Sequence, residues 1–456
     1  MKTKLTIGEL ITISSMLFGL FFGAGNLIFP AYLGQMAGSN LFPALAGFLV
    51  TAVGMPLLAV ISLGLTGSGG LLDLCRQVGD RFAYLFTIAL YLTIGPFFAA
   101  PRCLTVPFEI GIRPLLPANV NARFALLVFT AFVYALLLWF SLRPGKILTW
   151  IGKFLNPVFI FVLGILLAIA LLHPEGSVFS FAAQNIYSNA PALQGILDGY
   201  NTMDTLAGLA FGIIVVDVIK KQGITAPEPI AANTVKAGIF ACGAMGFIYF
   251  LVALAGAESR AYAAVSDNGG AVLADISAHY FPGAGSMLLA VIIFFACLKT
   301  AVGLMTSCAV TFSEIFPEKL SYNRWAVLFS TLTFLISNAG LTSIIKVSVP
   351  VLMMLYPIAI MLTLLSVFGK LFRRNHTIIV SVMTMVVISS FLDLLKALPA
   401  EWTEAAGARP LLAFCNQYLP LFSCGFGWVL PSLLGFLIGA GILAFRGCAY
   451  SSGKNS

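Results

Sequence analysis

Two short stretches of the sequence combine glycine with polar side chains inside long apolar runs. The first is Gly23-Ala24-Gly25-Asn26, and the second is Tyr200-Asn201-Thr202-Met203-Asp204. A polar side chain is costly at the middle of a membrane span, and glycine loosens a helix there. Each stretch therefore predicts a break in a membrane-spanning helix. Such a break exposes backbone N–H groups, which suit a carboxylate, and carbonyls, which suit an ammonium group or a small cation.

The composition shows what kind of chain carries these breaks. The 456 residues include 25 Lys and Arg and 17 Asp and Glu, so only 9% are charged, whereas 60% are hydrophobic. Soluble domains carry about 25% charged residues, and disordered chains are far less apolar. No basic stripe suggests nucleic-acid binding, and the three His are too far apart for a metal site. The chain is therefore expected to be an all-α membrane protein that crosses the bilayer many times.

Apolar runs long enough to cross a bilayer can be marked between the charged residues. Helix is the structure expected for them, because the bilayer offers no water to the backbone. We predict about twelve spans, numbered in chain order: 7–33, 41–65, 82–100, 124–142, 147–172, 193–219, 235–256, 284–312, 323–339, 347–368, 376–395 and 426–446. With the N-terminus inside, the inner loops hold 17 Lys and Arg and the outer loops hold 7. This asymmetry predicts that both termini are cytoplasmic.

The two predicted breaks are placed alike in two halves of the chain. Spans 1–5 cover 7–172 and spans 6–10 cover 193–368, and each block opens with its interrupted helix. Five spans is an odd number, so the second block enters the membrane from the opposite face. Small residues also serve simply to pack helices together. Paired breaks in inverted repeats instead indicate a transporter site at the middle of the membrane. Residues 376–446 add two spans outside the repeat.

Several motifs resemble those of one transporter family. They are Gly23–Pro30, Gly199–Asp204, Ala296–Leu304, Arg143–Lys146, and Ser348–Leu352 with Tyr356-Pro357. Together they resemble the bacterial branched-chain amino acid:cation symporters, or BrnQ-type carriers, and the resemblance covers essentially the whole chain. It implies a LeuT-like fold of five-plus-five inverted repeats and a multi-pass protein of the bacterial cytoplasmic (inner) membrane. It also implies import of Leu, Ile and Val coupled to a cation gradient by alternating access.

The resemblance also implies which residues form the site. The N–H groups of Ala24 and Gly25 are expected to face the substrate carboxylate, and the Phe21 carbonyl is expected to approach the amine. The full expected substrate site comprises Phe21, Gly23, Ala24, Gly25, Asn26, Phe97, Tyr200, Asn201, Thr202, Met203 and Asp204. The expected cation site comprises the carbonyls of Gly19 and Phe22, together with Ala296, Lys299 and Thr300 of span 8. No cofactor is expected beyond a coupling ion, either Na⁺ or H⁺.

Lys299 departs from the family pattern, in which many members carry an uncharged residue, often Thr. Its ammonium is predicted near the middle of span 8, where a charge costs at least about 2.5–3.5 kcal/mol unless it is paired or hydrated. Asp204 and Asp217 are candidate partners, and a water-filled vestibule is the alternative. We hypothesise that the Lys299 ammonium replaces a sodium ion, which would make transport proton-coupled or weakly dependent on sodium.

Other functions fit the sequence less well. A membrane enzyme would need clustered acids, His, or a nucleophile with its base, and the chain offers no such group. A channel would call for rings of pore residues rather than broken helices. Within the same fold, another small amino acid or nitrogenous solute is the alternative substrate. The outer segment 257–283 could be a lid or an inert connector. The preference among Leu, Ile and Val, the coupling stoichiometry and the oligomeric state stay open.

Overall fold

The chain folds into helices, and none of the residues that the computed structural model describes, 2–117, 119–405 and 407–452, forms a strand. Span 1 is a pair of helices, Ile7–Phe21 and Gly25–Ala37, and span 6 is the pair Pro191–Tyr200 and Asp204–Lys221. Span 2 comprises Leu41–Leu49 and Met55–Thr66, joined by the wider turn Val50–Gly54. The other spans are Asp80–Leu115, Ala122–Ser141, Thr149–Leu172, Pro227–Ala261, Gly285–Ile315, Tyr322–Ser337, Leu341–Val367, His376–Ala397 and Val429–Ser452.

Shorter helices connect these spans, namely Leu71–Arg76, Gly269–Tyr280, Ala400–Ala405 and Arg409–Tyr418. In the described part of the chain, nine helical stretches are long and apolar enough to cross a membrane, and two further apolar helices are shorter. One of the nine, Gly25–Thr66, joins the second half of span 1 to span 2. Each predicted span coincides with a helix or a helix pair, so the prediction of an all-α polytopic fold is confirmed.

Both predicted helix breaks are present, and local hydrogen bonds explain them. In span 1 the helix ends at Phe21, and the side-chain oxygen of Asn26 accepts a 2.8 Å hydrogen bond from the N–H of Gly23. In span 6 the chain turns at Met203, which has the left-handed φ of 63°. The Thr202 hydroxyl then accepts a hydrogen bond from the N–H of Asp204, where the second helix begins. Side chains thus replace the helical bonds that the breaks remove.

Span 3 is longer than the sequence predicts, and this corrects the positions of two basic residues. The predicted span, 82–100, ends just after Gly95-Pro96, where the backbone of Gly95 is indeed non-helical. A helix resumes at Ala99–Val106, however, and the helical stretch extends to Leu115. Arg102 and Arg113, which the predicted boundaries place in an outer loop, therefore lie inside the helical stretch. The predicted span ends too early because Gly95-Pro96 interrupts the apolar pattern and the charge of Arg102 follows soon after.

Glycines allow close contact between the helices that flank the breaks. A Cβ atom on Gly34 of span 1 would lie 1.9 Å from the carbonyl oxygen of Ala253 of span 7. One on Gly256 of span 7 would lie 2.2 Å from the carbonyl oxygen of Ala31. Spans 2 and 6 approach each other in the same way at Gly195. This small-residue packing fixes the broken helices against spans 2 and 7.

The contact at Gly34 gives a prediction for stability. Gly34→Ala places a methyl group against backbone atoms, which cannot turn aside, so we expect a loss of about 1–3 kcal/mol from overpacking. The melting temperature of the purified protein in detergent should fall. Gly164→Ala is the matched control because nothing lies within 4 Å of its new Cβ. Alanine is a better helix former than glycine, so this control should be unchanged or slightly more stable. Equal falls in the two variants would contradict the packing argument.

Candidate functional site

A cavity of about 710 Å³ lies between the two helix breaks. It continues along the last turns of span 3, at Glu109 and Arg113, to the segment 267–275 between spans 7 and 8. Nine of the eleven residues predicted for the substrate site line it, namely Phe21, Gly23, Ala24, Gly25, Asn26, Asn201, Thr202, Met203 and Asp204. The two breaks, which are 178 residues apart at Asn26 and Asp204, thus face one space.

The other two predicted substrate residues lie elsewhere. Tyr200 is buried behind the break in span 6, where its ring stacks on Tyr356 of span 10 with centroids 4.6 Å apart. Phe97 is 38% exposed, and its ring packs edge-on against Phe98. Neither residue lines the cavity. Span 3 contributes Ile94 to the wall instead, along with Arg102 and Cys103.

A hydrogen-bond network joins the two breaks. The side-chain amide of Asn26 donates to both carboxylate oxygens of Asp204, at 2.9 and 2.7 Å. The hydroxyl of Tyr249, from span 7, donates to the same carboxylate at 2.6 Å. All three side chains are buried. Asp204 also stands in the first turn of its helix, where a negative charge is favoured. The acid therefore holds the two breaks together rather than being an unpaired charge.

The break in span 1 leaves free donors at the cavity wall. The helix Gly25–Ala37 begins there, and the Ala24 carbonyl accepts from the N–H groups of Leu27 and Ile28. Within the described residues, the N–H groups of Ala24 and Gly25 have no hydrogen-bond acceptor in the backbone. Helix N-termini of this kind bind carboxylates through their N–H groups and the positive end of the helix dipole. The geometry therefore offers an anion-binding wall at the depth of the break.

The residues predicted for the cation site lie between spans 1 and 8. The Thr300 hydroxyl donates to the Gly19 carbonyl at 3.4 Å, and Thr300 also lines the cavity. Ala296 is buried one turn earlier on span 8. The side chain of Lys299 is fully buried, and its ammonium lies 5.5 Å from the ring centroid of Phe22. The structure thus brings parts of the predicted cation site together around a lysine.

Lys299 pairs with neither acid that the sequence suggests. Its ammonium donates to the side-chain oxygen of Asn156 in span 5 at 3.1 Å. It also lies over the rings of Phe159, at 3.9 Å, and Phe18, at 5.1 Å. Asp204 is engaged by Asn26 and Tyr249, as described above. Cation–π contacts and one amide oxygen therefore take the place of an ion pair.

The other suggested acid, Asp217, is also engaged elsewhere. Its carboxylate pairs with Lys221 at 2.6 Å, four residues along the same helix. Asn156, the actual partner of Lys299, is oriented by Ser15 of span 1, whose carbonyl accepts from the Asn156 amide at 3.0 Å. Each acid finds a nearer partner. The sequence does not predict an asparagine of span 5 as the partner of Lys299, because its position relative to span 8 depends on the tertiary fold.

Lys299 lies close to the carbonyl that the sequence predicts as a cation ligand. Asn156, whose side-chain oxygen accepts from the ammonium, packs against Gly19. The lysine side chain and the predicted cation ligands therefore belong to one cluster between spans 1, 5 and 8.

Three residues at the site were missed from the sequence. Tyr249 and Asn156 lie in spans whose sequences are typical of packing helices, and the one signal of a role is a polar side chain within an apolar run. Arg102 was assigned to a loop, yet its side chain lines the cavity. The signal for its position is the helical pattern that continues beyond Gly95-Pro96.

Comparisons with known proteins agree with this architecture. The family model described as "Branched-chain amino acid transport protein" matches residues 7–445. The branched-chain amino acid permease BrnQ of Lactobacillus delbrueckii subsp. lactis is 51% identical over 448 residues, which cover 98% of each chain.

Two solved structures share the fold. Mhp1, a nucleobase-cation-symport-1 family transporter in a closed conformation with bromovinylhydantoin bound, superposes with a TM-score of 0.56 at 15% identity, over 97% of this chain and 93% of that one. MhsT in complex with L-phenylalanine gives a TM-score of 0.54 at 17% identity, over 85% of this chain and 98% of that one. At such low identity these two structures support the fold alone. The family match and the 51% identical permease go further, and the chain belongs to the branched-chain amino acid transport protein family.

Proposed function

We propose that the protein is a secondary symporter that imports Leu, Ile and Val by alternating access. The observation that carries this proposal is the cavity between the two breaks, which combines free backbone donors with an apolar wall. Phe29, Ile94 and Met203 are among the apolar side chains of that wall. An aliphatic side chain gains from burial against such a surface. The curated permease at 51% identity is named for branched-chain amino acids, which supports the same substrate class.

The two polar ends of an amino acid have matching partners in the proposed site. The carboxylate faces the N–H groups of Ala24 and Gly25, and the ammonium group faces the Phe21 carbonyl. Asp204 lines the same cavity, and its negative charge attracts the ammonium group of the substrate and repels the substrate carboxylate. Asn201 and Thr202 complete the wall from span 6. A zwitterion is thus held in one orientation with few charged side chains.

The proposed setting is the bacterial cytoplasmic membrane with both termini in the cytoplasm. In that orientation the cavity opens to the outside, because it reaches the end of span 3 and the segment between spans 7 and 8. That segment packs against span 1 at Gly269, where a Cβ atom would lie 1.8 Å from the carbonyl oxygen of Ile28. The segment therefore lies at the outer end of the cavity, in the position of a lid. Substrate entry from outside is consistent with an importer.

We further infer that the Lys299 ammonium takes the place of a coupling sodium ion. The support is its position between spans 1, 5 and 8, fully buried and held by Asn156 and three aromatic rings. A sodium ion would be repelled from the adjacent carbonyls by this charge. Uptake should then run without sodium, and a proton gradient is the alternative driving force.

The alternative within the same fold is another small nitrogenous solute. Mhp1 holds a hydantoin and MhsT holds L-phenylalanine in related folds, so the fold alone does not select the substrate. An enzyme is set aside because the family is one of transport proteins. The apolar wall of the cavity favours the aliphatic amino acids over a polar solute.

Accumulation of labelled leucine tests the proposal. Purified protein in proteoliposomes should take up leucine against its gradient, with saturation, and the uptake should stop when ion gradients are collapsed. Unlabelled isoleucine and valine should compete, whereas lysine and glutamate should not. Protein-free liposomes are the control. Flux that only equilibrates leucine would indicate a channel, and the absence of flux with any branched-chain amino acid would reject this substrate class.

A further inference from the structure

Arg102 is a charged side chain within a membrane span, and the roles assigned so far do not use it. It lies in the helix Ala99–Val106 of span 3 and lines the central cavity. Placing an arginine at this depth costs several kcal/mol unless the guanidinium finds partners or water. A cost of this kind within a span usually indicates a functional role for the residue.

The packing of spans 3 and 8 places Arg102 at the depth of the span 1 break. A Cβ atom on Gly95 would lie 2.4 Å from the sulfur of Cys308, and one on Gly111 would lie 2.7 Å from Ala290. The two helices are thus antiparallel, and Arg102 lies beside about residue 300 of span 8. The Thr300 hydroxyl in turn lies 3.3 Å from a Cβ placed on Gly23. Arg102 and the free N–H groups of span 1 therefore face the cavity at similar depth.

The guanidinium of Arg102 has donors left over. One terminal nitrogen, Nη2, donates to the hydroxyl of Ser348 in span 10. Its Nε is buried and has no hydrogen-bond partner. A buried donor without an acceptor costs about 1–3 kcal/mol, and such groups are rare in folded proteins. The unused donor therefore needs an explanation.

The carboxylates that line the same cavity have other partners or lie at its rim. Asp204 accepts from Asn26 and Tyr249, and Glu109 pairs with Arg113 at 2.5 Å. Asp275 accepts from the Ser266 hydroxyl, and Asp267 is exposed at the rim. None of the ion pairs found among the described residues includes Arg102. Among the residues that the structure describes, no carboxylate therefore forms an ion pair with this arginine.

We propose that the guanidinium of Arg102 binds the carboxylate of the transported amino acid, opposite the N–H groups of span 1. This role rests on the proposed function and adds a charged residue to the substrate site. Arginine presents several N–H donors in a rigid plane that matches a carboxylate. The carboxylate has enough lone pairs to accept from the helix N-terminus and from Arg102 together. Because Arg102 also donates a hydrogen bond to Ser348, substrate bound to Arg102 would be linked to span 10.

Analogues that differ only in the carboxylate test this role. Binding of leucine and of leucinamide, which keeps the amine and side chain but has a neutral amide, would be measured by competition with labelled leucine on purified protein. Wild-type protein should prefer leucine. Arg102→Gln should weaken leucine binding by about 10- to 100-fold, the loss expected for a charge-assisted bond. Leucinamide binding should change by less than about threefold, so that the preference collapses.

Controls separate a binding role from a structural one. Arg113→Gln removes the same charge from the same cavity, but this arginine is already paired with Glu109, so the preference for leucine should be retained. Arg102→Lys keeps a positive charge and should retain part of the preference for leucine. This variant also tests the role of the charge if Arg102→Gln fails to fold. Equal weakening of leucine and leucinamide in the Arg102 variants, or a preference that stays at the wild-type value, would overturn the proposal. Wild-type protein that binds no leucine would instead reject the proposed function itself.

Discussion

Asp204→Asn is expected to reduce leucine uptake by at least about 100-fold while the protein still folds. The carboxylate accepts hydrogen bonds from Asn26 and Tyr249, and together these join the breaks of spans 1 and 6. Hydrogen bonds to a charged group contribute about 1.5–3 kcal/mol each, so weakening two of these three bonds is enough to account for the reduced uptake. An asparagine would also turn N–H donors toward the donors of Asn26 and Tyr249. Initial uptake rates in proteoliposomes at equal protein density measure the effect.

The same helix provides the matched control for this prediction. Asp217→Asn makes the same chemical change at an exposed position, whose carboxylate pairs with Lys221. Exposed ion pairs contribute about 0–1 kcal/mol, so this variant should transport within about twofold of wild type. Tyr249→Phe removes one of the three hydrogen bonds to the Asp204 carboxylate, so its uptake rate should fall between those of the two aspartate variants. Near-normal uptake by Asp204→Asn would show that the network does not hold the breaks in their working geometry.

The sequence was sufficient to locate the breaks because their cause is local. Glycines and polar side chains in the middle of an apolar run cannot form an ordinary lipid-facing helix, and Gly23 and Asn26 signal this without knowledge of the fold. The structure adds the local reason, a hydrogen bond from the Gly23 N–H to the Asn26 side chain. The positions of the helices followed from the same apolar pattern, although span 3 extends well beyond its predicted end. The prediction that residues 7–172 and 193–368 form inverted repeats stays a prediction.

The contacts between spans were beyond the sequence because they depend on how helices pack. Lys299 and Asn156 are 143 residues apart, and nothing in the local pattern of either span indicates that they meet. The same holds for Tyr249 and Asp204, which are 45 residues apart. Phe97 shows the opposite error, since an aromatic residue next to a break was expected at the wall but is partly exposed elsewhere. Which face of a helix lines a cavity is settled by tertiary packing rather than by residue type.

Lys299→Thr is expected to change the ion on which transport depends. Wild-type leucine uptake should stay within about twofold when choline replaces sodium, because the buried ammonium already supplies the positive charge between spans 1 and 8. The variant removes this charge and frees the side-chain oxygen of Asn156 near the Gly19 carbonyl. A hydroxyl and carbonyl oxygens then remain, which are ligands that hard cations prefer. Uptake by the variant should therefore require sodium and lose any dependence on a pH gradient.

Lys221→Thr is the control for this change, since it removes an exposed lysine from span 6 and should leave the ion dependence unaltered. Full sodium dependence of the wild-type protein, unchanged in Lys299→Thr, would refute the proposed role of the ammonium. A second readout does not require transport. A ligand that binds only the folded state raises its stability, by about 2.7 kcal/mol at 100 times the dissociation constant. Sodium, compared with choline at equal ionic strength, should therefore raise the melting temperature of Lys299→Thr but not that of the wild type, because only the variant has lost the resident charge that repels the ion.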